Sequence, residues 1–294
     1  MICILGPTAS GKTALAVHVA GKVNGAIISA DSRQVFKGMD IGTGKDLATY
    51  GTIDHYLIDI LEPGDDYSVA HFQDDFYEAF LDILLKQKRP ILCGGTGMYM
   101  QSVLQGYTHT SVPVNPELRV HLEKKDIEEL EKFFLSIPKP DTYRADISTK
   151  KRLIRAIEVA QWSMHNKSPV GRTGIESVIF GLSLPLEERR RRITNRLEER
   201  LKAGMLDEVS ALLKQGVPEE KLKFYGLEYK YATAYLLGEM DYTSFFEKLN
   251  TEIHRYAKRQ MTYFRKMEKD GLRIHWLDAT APIKKNTEKI LRSI

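Results

Sequence analysis

GPTASGKT, residues 6–13, stands directly after the apolar run Ile2-Cys3-Ile4-Leu5 and directly before Ala14-Leu15-Ala16-Val17-His18-Val19-Ala20, a segment of helical composition. A short apolar run that ends at a glycine reads as a buried strand, so the order is strand, glycine loop, helix. In the pattern G-x-x-x-x-G-K-T, Gly6 and Gly11 let the backbone curl, and the loop Gly6, Pro7, Thr8, Ala9, Ser10 and Gly11 turns its N–H groups toward phosphate oxygens. The following helix adds the positive end of its dipole. Lys12 supplies a point charge, and the Thr13 hydroxyl is placed to bind Mg2+. These eight residues are the candidate diphosphate- or nucleotide-binding set, with Lys12 also a candidate catalytic cation.

Outward from the loop, Ala26-Ile27-Ile28-Ser29 reads as a second strand that delivers ADSRQVFKGMDIGTG, residues 30–44. A carboxylate at the carboxyl end of a parallel strand faces the same crevice as the phosphate loop, which makes Asp31 a candidate general base or magnesium-shell ligand. The alternative is a loop aspartate that caps Ser32 or its neighbours. HYLIDIL (55–61) and PILCGGTG (90–97) are further strand-like runs, and the glycine turn of the second projects Thr96 into the crevice. Between them, residues 67–89 carry apolar side chains at helical spacing, so their aromatics belong to the core. SVIFGLSLP (177–185) rejoins the sheet. Strands alternating with helices give an α/β fold: a P-loop NTPase-like, doubly wound parallel sheet core with an inserted helical subdomain. The expected division is residues 1–110 and 175–294 for the core and its C-terminal helical part, and 111–174 for the insertion.

The 294 residues carry a formal charge of +4, but the halves differ: residues 1–150 hold 15 Lys/Arg against 20 Asp/Glu, and residues 151–294 hold 28 against 19. That asymmetry suggests a polyanionic partner for the second half, the alternative being a solvated basic face. In residues 186–209 Arg192 and Arg196 share a helix face, from which two guanidinium groups can meet a diphosphate; local pairing with Glu187, Glu188, Glu198 and Glu199 is the competing reading. KKRLIRAIEV places Lys151, Arg152 and Arg155 at a helix entrance. HRYAKRQMTYFRK (254–266) contains Arg255, Lys258, Arg259, Arg265 and Lys266 with no acidic residue, interleaved with Tyr256, Tyr263 and Phe264. Basic groups for phosphates and rings for exposed bases are the usual means of holding structured RNA.

Cys3 and Cys93 are the only cysteines, each within an apolar run, which supports neither a disulfide framework nor a cysteine zinc site. The absence of a signal-peptide pattern and of any long apolar run gives the expectation of a cytoplasmic protein with no membrane partner. To this point the residues fit a nucleoside or nucleotide kinase as well as another diphosphate chemistry, and a non-catalytic RNA-binding protein would explain the basic half alone.

GPTASGKT, ISADSRQVFKGMDIGTG, GGTGMYMQSVLQG, KKRLIRAIEV and AKRQMTYFRK in this order, closing with IHWLD, resemble the tRNA dimethylallyltransferases, also called tRNA isopentenyltransferases, over nearly the whole chain. The resemblance implies transfer of a dimethylallyl group from dimethylallyl diphosphate to N6 of adenosine 37 beside the tRNA anticodon, with diphosphate released. It implies that Asp31 is the general base and that Ser32, Arg33 and Gln34 form an adjoining tRNA-contact segment. Thr96 then lies near the reacting base, and Arg119 and the segment Lys151, Arg152, Leu153, Ile154 and Arg155 contact tRNA. Lys12, Thr13, Arg192 and Arg196 match diphosphate and magnesium groups, and Lys258 and Arg259 complete the tRNA-binding set. The expected partners are the tRNA anticodon stem-loop and dimethylallyl diphosphate, with Mg2+ as cofactor and a monomeric state. An adenylate isopentenyltransferase acting on free nucleotides is the nearest rival within the same chemistry. The chain departs from the family's Gly-Tyr-Lys/Arg-Glu-like run at YGLEYKYA (225–232) and has nothing like the C-terminal zinc finger of eukaryotic relatives, so the bacterial type is the closer match.

Overall fold

A computed structural model describes residues 1–139, 145–166 and 173–294. Six strands are defined: β1 (Ile2–Leu5), β2 (Gly25–Ala30), β3 (His55–Tyr56), β4 (Arg89–Gly94), β5 (Val178–Ser183) and β6 (Ile274–Asp278). They form one parallel sheet in the order β3-β2-β4-β1-β5-β6. Every residue of β1 and β2 is buried, as expected of strands covered on both faces, and this is why they read as unbroken apolar runs. The register sets Leu5 beside Gly94 and Ala30 beside Gly94, so the loops leaving β1, β2 and β4 emerge together at one end of the sheet.

Helices α1 (Lys12–Val23), α2 (Val69–Leu85) and α3 (Gly97–Leu104) follow β1, β3 and β4. Leu15, Ala16 and Val19 of α1 pack with Ile2, Ile4, Ile27 and Ile91, while Phe72, Phe76, Met100 and Val103 of α2 and α3 pack with Cys3, Leu5, Ile28 and Leu92. Alternate side chains of the same strands thus seed two apolar clusters. The expectation for residues 55–61 requires correction: only His55 and Tyr56 pair as strand, because Leu57 (φ 62°) and Asp59 (φ 56°) take the left-handed conformation and turn the chain out of the sheet.

Gln105–Gly174 forms a second compact unit, separate from the unit made of Met1–Leu104 and Ile175–Ile294. It contains α4 (Pro116–Glu123), α5 (Ile127–Ser136) and α6 (Lys150–His165), with Leu122, Leu130, Phe134, Leu153, Ile154 and Ile157 as its core. Asn115, Asp126 and Thr149 cap the three helices by accepting backbone N–H bonds in the first turn. In the larger unit the chain continues through α7 (Leu186–Lys202), α8 (Met205–Lys214), α9 (Glu219–Phe224), α10 (Leu227–Leu236), α11 (Tyr242–Lys269) and α12 (Ile283–Leu291). Val35, Phe36 and Met39 from the loop after β2 enter an apolar cluster with Ile193, Leu197, Met205, Val209, Tyr225, Tyr229 and Phe245. That cluster anchors the loop to the C-terminal helices and brings α7 beside the phosphate loop.

Candidate active site

The curl of residues 6–13 comes from Ala9 (φ 60°) and Gly11 (φ 82°), not from Gly6. Gly6 is instead required for space, since a Cβ there would stand 2.6 Å from Ser10 Oγ. The Ser10 N–H donates to the Pro7 carbonyl at 3.3 Å. The Thr8 N–H donates to Gln260 Oε1 at 2.9 Å, and Gln260 Nε2 donates to the Gly95 carbonyl at 2.9 Å, so α11 ties the loop to the turn after β4. Helix α1 starts at Lys12 with no side-chain cap, which leaves its first N–H groups directed at whatever enters the crevice. Lys12 Nζ lies 3.4 Å from the Pro7 carbonyl. Burial holds its ammonium below the usual lysine range, and the charges of Arg196 and Arg200 act in the same direction.

Two cavities open on this loop. One, of about 520 Å3, is lined by Thr8, Asp31, Ser32, Arg33, Gln34 and Thr96 and, from the C-terminal helices, by Phe224, Tyr256 and Arg259. The other, of about 800 Å3, is lined by Ala9 to Ala14, Asp46, Arg192 and Asn195. Lys12, Thr13, Arg196 and Arg200 line both. Asp31 Oδ1 accepts the Arg33 N–H at 3.0 Å, which realises the capping reading, while Oδ2 makes no hydrogen bond among the described residues. The two readings of Asp31 are therefore compatible: Oδ1 shapes the turn, Oδ2 is left without a hydrogen bond among the described residues, and the residue lines the smaller cavity. Thr96 Oγ1 accepts the Ser32 N–H at 3.1 Å and so fixes the two post-strand turns against each other. Gln34 is buried; its Oε1 accepts from Ser29 Oγ at 3.1 Å and its Nε2 donates to the Gly44 carbonyl at 3.1 Å. Its side chain holds the loop in shape and has little surface left to offer a partner.

Residues 40–46 are held unusually firmly. Glu208 of α8 accepts the N–H groups of Asp40, Ile41 and Gly42 at 2.7, 2.7 and 3.0 Å, and Tyr229 donates its hydroxyl to the same carboxylate at 2.6 Å. Lys45 is fully buried, donating to the Phe36 carbonyl at 2.7 Å, to Asp40 at 2.6 Å and to Asp59. The loop then receives Arg196, whose Nη2 donates to the Gly44 carbonyl at 3.2 Å and to Asp46 at 2.7 Å. Arg192 behaves differently from the expected partner of Arg196. It donates to Glu188 at 2.6 Å and to the Ala279 carbonyl at 3.4 Å, and it lines only the larger cavity. Arg200, one turn further along the same face, is the residue that joins Arg196 at both cavities.

The basic stretch of α11 divides by face. Phe264 is fully buried in the sheet core, and Tyr263 packs over Gly97 and donates to Gln101 Oε1 at 2.8 Å, so neither is an RNA-stacking ring as the sequence suggests. Tyr256 and Arg259 do reach the smaller cavity, with the Arg259 guanidinium 6.0 Å from the Tyr256 ring centre. Lys258 is exposed, and Arg255 pairs with Glu252 at 2.5 Å. Phe224, at the end of α9, was not singled out by any motif; it is 63% exposed, lines the same cavity and lies under Arg33 at 5.4 Å.

Within the smaller unit, Leu153 and Ile154 are core residues whose side chains are unavailable to a partner. Arg119 and Arg155 both bond to Glu158, which is 2% exposed: Arg119 Nη2 at 2.8 Å, Arg119 Nε at 3.1 Å, and Arg155 through Nη1. Arg155 Nη2 also donates to the carbonyls of Val112 and His109 at 2.7 and 3.1 Å. These two arginines, expected as RNA contacts, are also engaged within the unit by a buried carboxylate, with 33% and 30% of their side chains left exposed. Lys151 and Arg152 are exposed, Arg152 pairing with Asp146 at 2.9 Å and with Ser148 at 2.8 Å.

No group of three or more His, Cys, Asp or Glu side chains able to hold a metal ion exists among the described residues, and Cys3 and Cys93 are buried thiols. No helix there is long and apolar enough to cross a membrane.

Comparison with known proteins matches residues 34–267 to a family model described as IPP transferase and residues 1–59 to one described as isopentenyl transferase. A tRNA dimethylallyltransferase of Porphyromonas gingivalis is 50% identical over 299 residues, covering 99% of this chain and 98% of its own length. One from Trichlorobacter lovleyi is 47% identical over 294 residues, covering 99% and 96%. Among solved structures, a tRNA delta(2)-isopentenylpyrophosphate transferase from Staphylococcus epidermidis superposes with a TM-score of 0.72 at 31% identity, covering 99% of this chain and 97% of that one. With family-model matches over most of its length and relatives about 50% identical across nearly all of it, the chain belongs to the IPP transferase family of tRNA dimethylallyltransferases.

Proposed function

We propose that this protein transfers a dimethylallyl group from dimethylallyl diphosphate to N6 of adenosine 37 in the anticodon stem-loop of tRNA. The single observation that carries the reading is the smaller cavity, which places an acidic oxygen on Asp31, the phosphate-loop residues Lys12 and Thr13 and the guanidinium of Arg196 around one space. An adenine amino group is a weak nucleophile, so the reaction depends on making the allyl group electrophilic. The C1–O bond to diphosphate breaks with its electron pair leaving on oxygen, the N6–C1 bond forms, and the N6 proton passes to Asp31. The uncapped N-terminus of α1, Lys12 and Arg196 stabilise the charge that develops on the departing diphosphate. Thr96 and the Ser32 turn position the base, and Arg33 and Phe224 offer a stacked pair at the cavity wall for a nucleobase taken out of its helix.

Mg2+ fits the donors present. It prefers oxygen ligands, retains waters and is commonly held by few protein groups together with substrate phosphates, in keeping with a Thr13 hydroxyl in an oxygen-bearing crevice and no carboxylate cage among the described residues. Thr13 would hold it, and when bound it supplies charge neutralisation for the diphosphate. Lys258 and Arg259 of the larger unit, and Lys151 and Arg152 of the smaller, are the tRNA-facing cations in this reading.

Calorimetric titration separates it from a kinase. Dimethylallyl diphosphate is expected to bind with higher affinity than ATP, and a clear preference for ATP would overturn the proposal. Assays with AMP in place of tRNA are expected to give no prenylated nucleotide, and efficient turnover of AMP would identify an adenylate isopentenyltransferase instead.

A further inference from the structure

Four side chains line both cavities, and three of them, Lys12, Thr13 and Arg196, belong to the diphosphate site just described. The fourth is Arg200. Resting on that reading of the site, we propose that Arg200 is a second guanidinium ligand of the leaving diphosphate, acting beside Arg196, and that Glu228 is the positioning residue that aims it.

The geometry of one guanidinium carries the argument. Arg200 Nη1 donates to Glu228 Oε1 at 3.1 Å and to the Gly42 carbonyl at 3.3 Å, and the side chain is 12% exposed. The opposite edge, Nε with Nη2, is the one a planar guanidinium presents to two oxygens of a phosphate. On that edge Nε is buried without a partner among the described residues, a costly state for a donor and one that an anion relieves. Nη2 lies against Gly44, where a Cβ would stand 1.6 Å away, and the same Cβ would be 2.5 Å from Arg196 Nη2. Gly44 adopts φ 63°, a conformation that favours glycine, and a Cβ there would push the ends of both arginine side chains from the point where the two cations converge.

Two guanidinium groups brought together over one glycine raise each other's energy. Burial, and after it the charge of Arg200, holds the Arg196 guanidinium below its usual range. A salt bridge serving only to fasten α7 to α10 needs one cation and one carboxylate; it explains neither the second cation nor the unpartnered edge. A polyanion explains both. Glu228 lies in the run 225–232 where the chain departs from the family pattern, and its role here is to fix Nη1 so that the other edge faces inward. Gly42, whose carbonyl shares that task, is itself pinned by Glu208 and covered by Tyr229.

The test uses inorganic diphosphate with Mg2+ as the calorimetric probe, and steady-state transfer to tRNA alongside it. Arg200→Met is expected to weaken diphosphate binding by about 10- to 100-fold, the loss of a charged hydrogen-bonding pair, with tRNA affinity unchanged. Arg200→Lys, which keeps charge but not the fork, falls between. Glu228→Gln is expected to raise the donor KM with kcat held near wild type, and Glu228→Asp to recover part of the loss. The double variant Arg200→Met/Glu228→Leu removes both charges and so strands neither; it is expected to keep the wild-type melting temperature and still bind diphosphate as weakly as Arg200→Met. Wild-type diphosphate affinity in that double variant would show a fastening salt bridge and overturn the proposal while leaving the transfer reading intact. Arg200-dependent diphosphate binding in a protein that transfers no prenyl group would remove the proposed reaction and support the assignment of Arg200.

Discussion

Asp31 commits Oδ1 to the Arg33 N–H and leaves Oδ2 without a hydrogen bond among the described residues, in a residue that lines the smaller cavity, so the proposed base retains a free oxygen. Asp31→Ala is expected to lower turnover by about 10²- to 10⁴-fold, as for loss of a positioned general base, while tRNA binding stays within a few-fold of wild type. Single-turnover transfer at the wild-type rate would exclude Asp31 as the base. Lys12 is held by burial below its usual range, so its charge interacts strongly with an incoming anion. Lys12→Ala is expected to weaken donor binding and slow leaving-group departure together, and unchanged affinity and rate would move the donor site elsewhere. Phe224 differs in kind, because its exposed ring contributes contact area and no chemistry. Phe224→Ala is expected to raise the tRNA KM by about 5- to 100-fold, the loss of one base stack, with the donor KM unmoved.

At the scale of elements, the helices of the smaller unit depend on Glu158. Burial would raise the pKa of its carboxyl, but Arg119, the Asn115 N–H at 2.6 Å and Arg155 outweigh burial and hold it below the usual glutamate value. A carboxyl depressed by folding stabilises above its unfolded pKa, and the contribution is lost as pH falls through the folded one. The smaller unit is therefore expected to lose stability on acidification below the ordinary glutamate range, read as faster amide exchange in α4 and α6. Glu158→Gln is expected to cost about 3 kcal/mol and to flatten that pH dependence, and an unaltered exchange profile would show that the cluster is not structural. The same geometry explains what the sequence hid. The internal role of Arg119 and Arg155 is not legible, because one chain segment does not reveal that Glu158, three residues after Arg155 and 39 after Arg119, is buried and accepts from both. The phosphate loop, by contrast, was legible because strand, glycine turn, lysine and threonine are consecutive. Arg200, one turn beyond Arg196 on the same helix face, was not marked by the sequence pattern, and nothing local marks Gln260, 252 residues from the Thr8 N–H that it holds.

Across the whole molecule, the excess of 28 basic over 19 acidic residues in positions 151–294 survives local pairing only in part, since many of these arginines are matched within their own helices. The cations left for a polyanion are therefore fewer than composition suggests. Lys258→Ala and Arg152→Ala are each expected to weaken tRNA binding at every sequence tested and to reduce the magnitude of the salt-dependence slope by about one. Arg155→Ala should act first through stability. The parallel sheet was readable from alternating strand and helix patterns, but the two-residue β3 was not, because the left-handed turns at Leu57 and Asp59 interrupt a mostly apolar run that composition alone reads as one strand. The decisive measurement incubates the protein with unmodified tRNA, AMP, ATP and dimethylallyl diphosphate labelled in its prenyl group, then separates free nucleotides and digests the RNA to nucleosides. The expected result is label in N6-dimethylallyl adenosine from the anticodon loop, one diphosphate released for each group transferred, and labelling about 10²- to 10⁴-fold slower with Asp31→Ala. Label recovered in free AMP with the tRNA unmodified, or phosphoryl transfer from ATP with the diphosphate donor untouched, would contradict it.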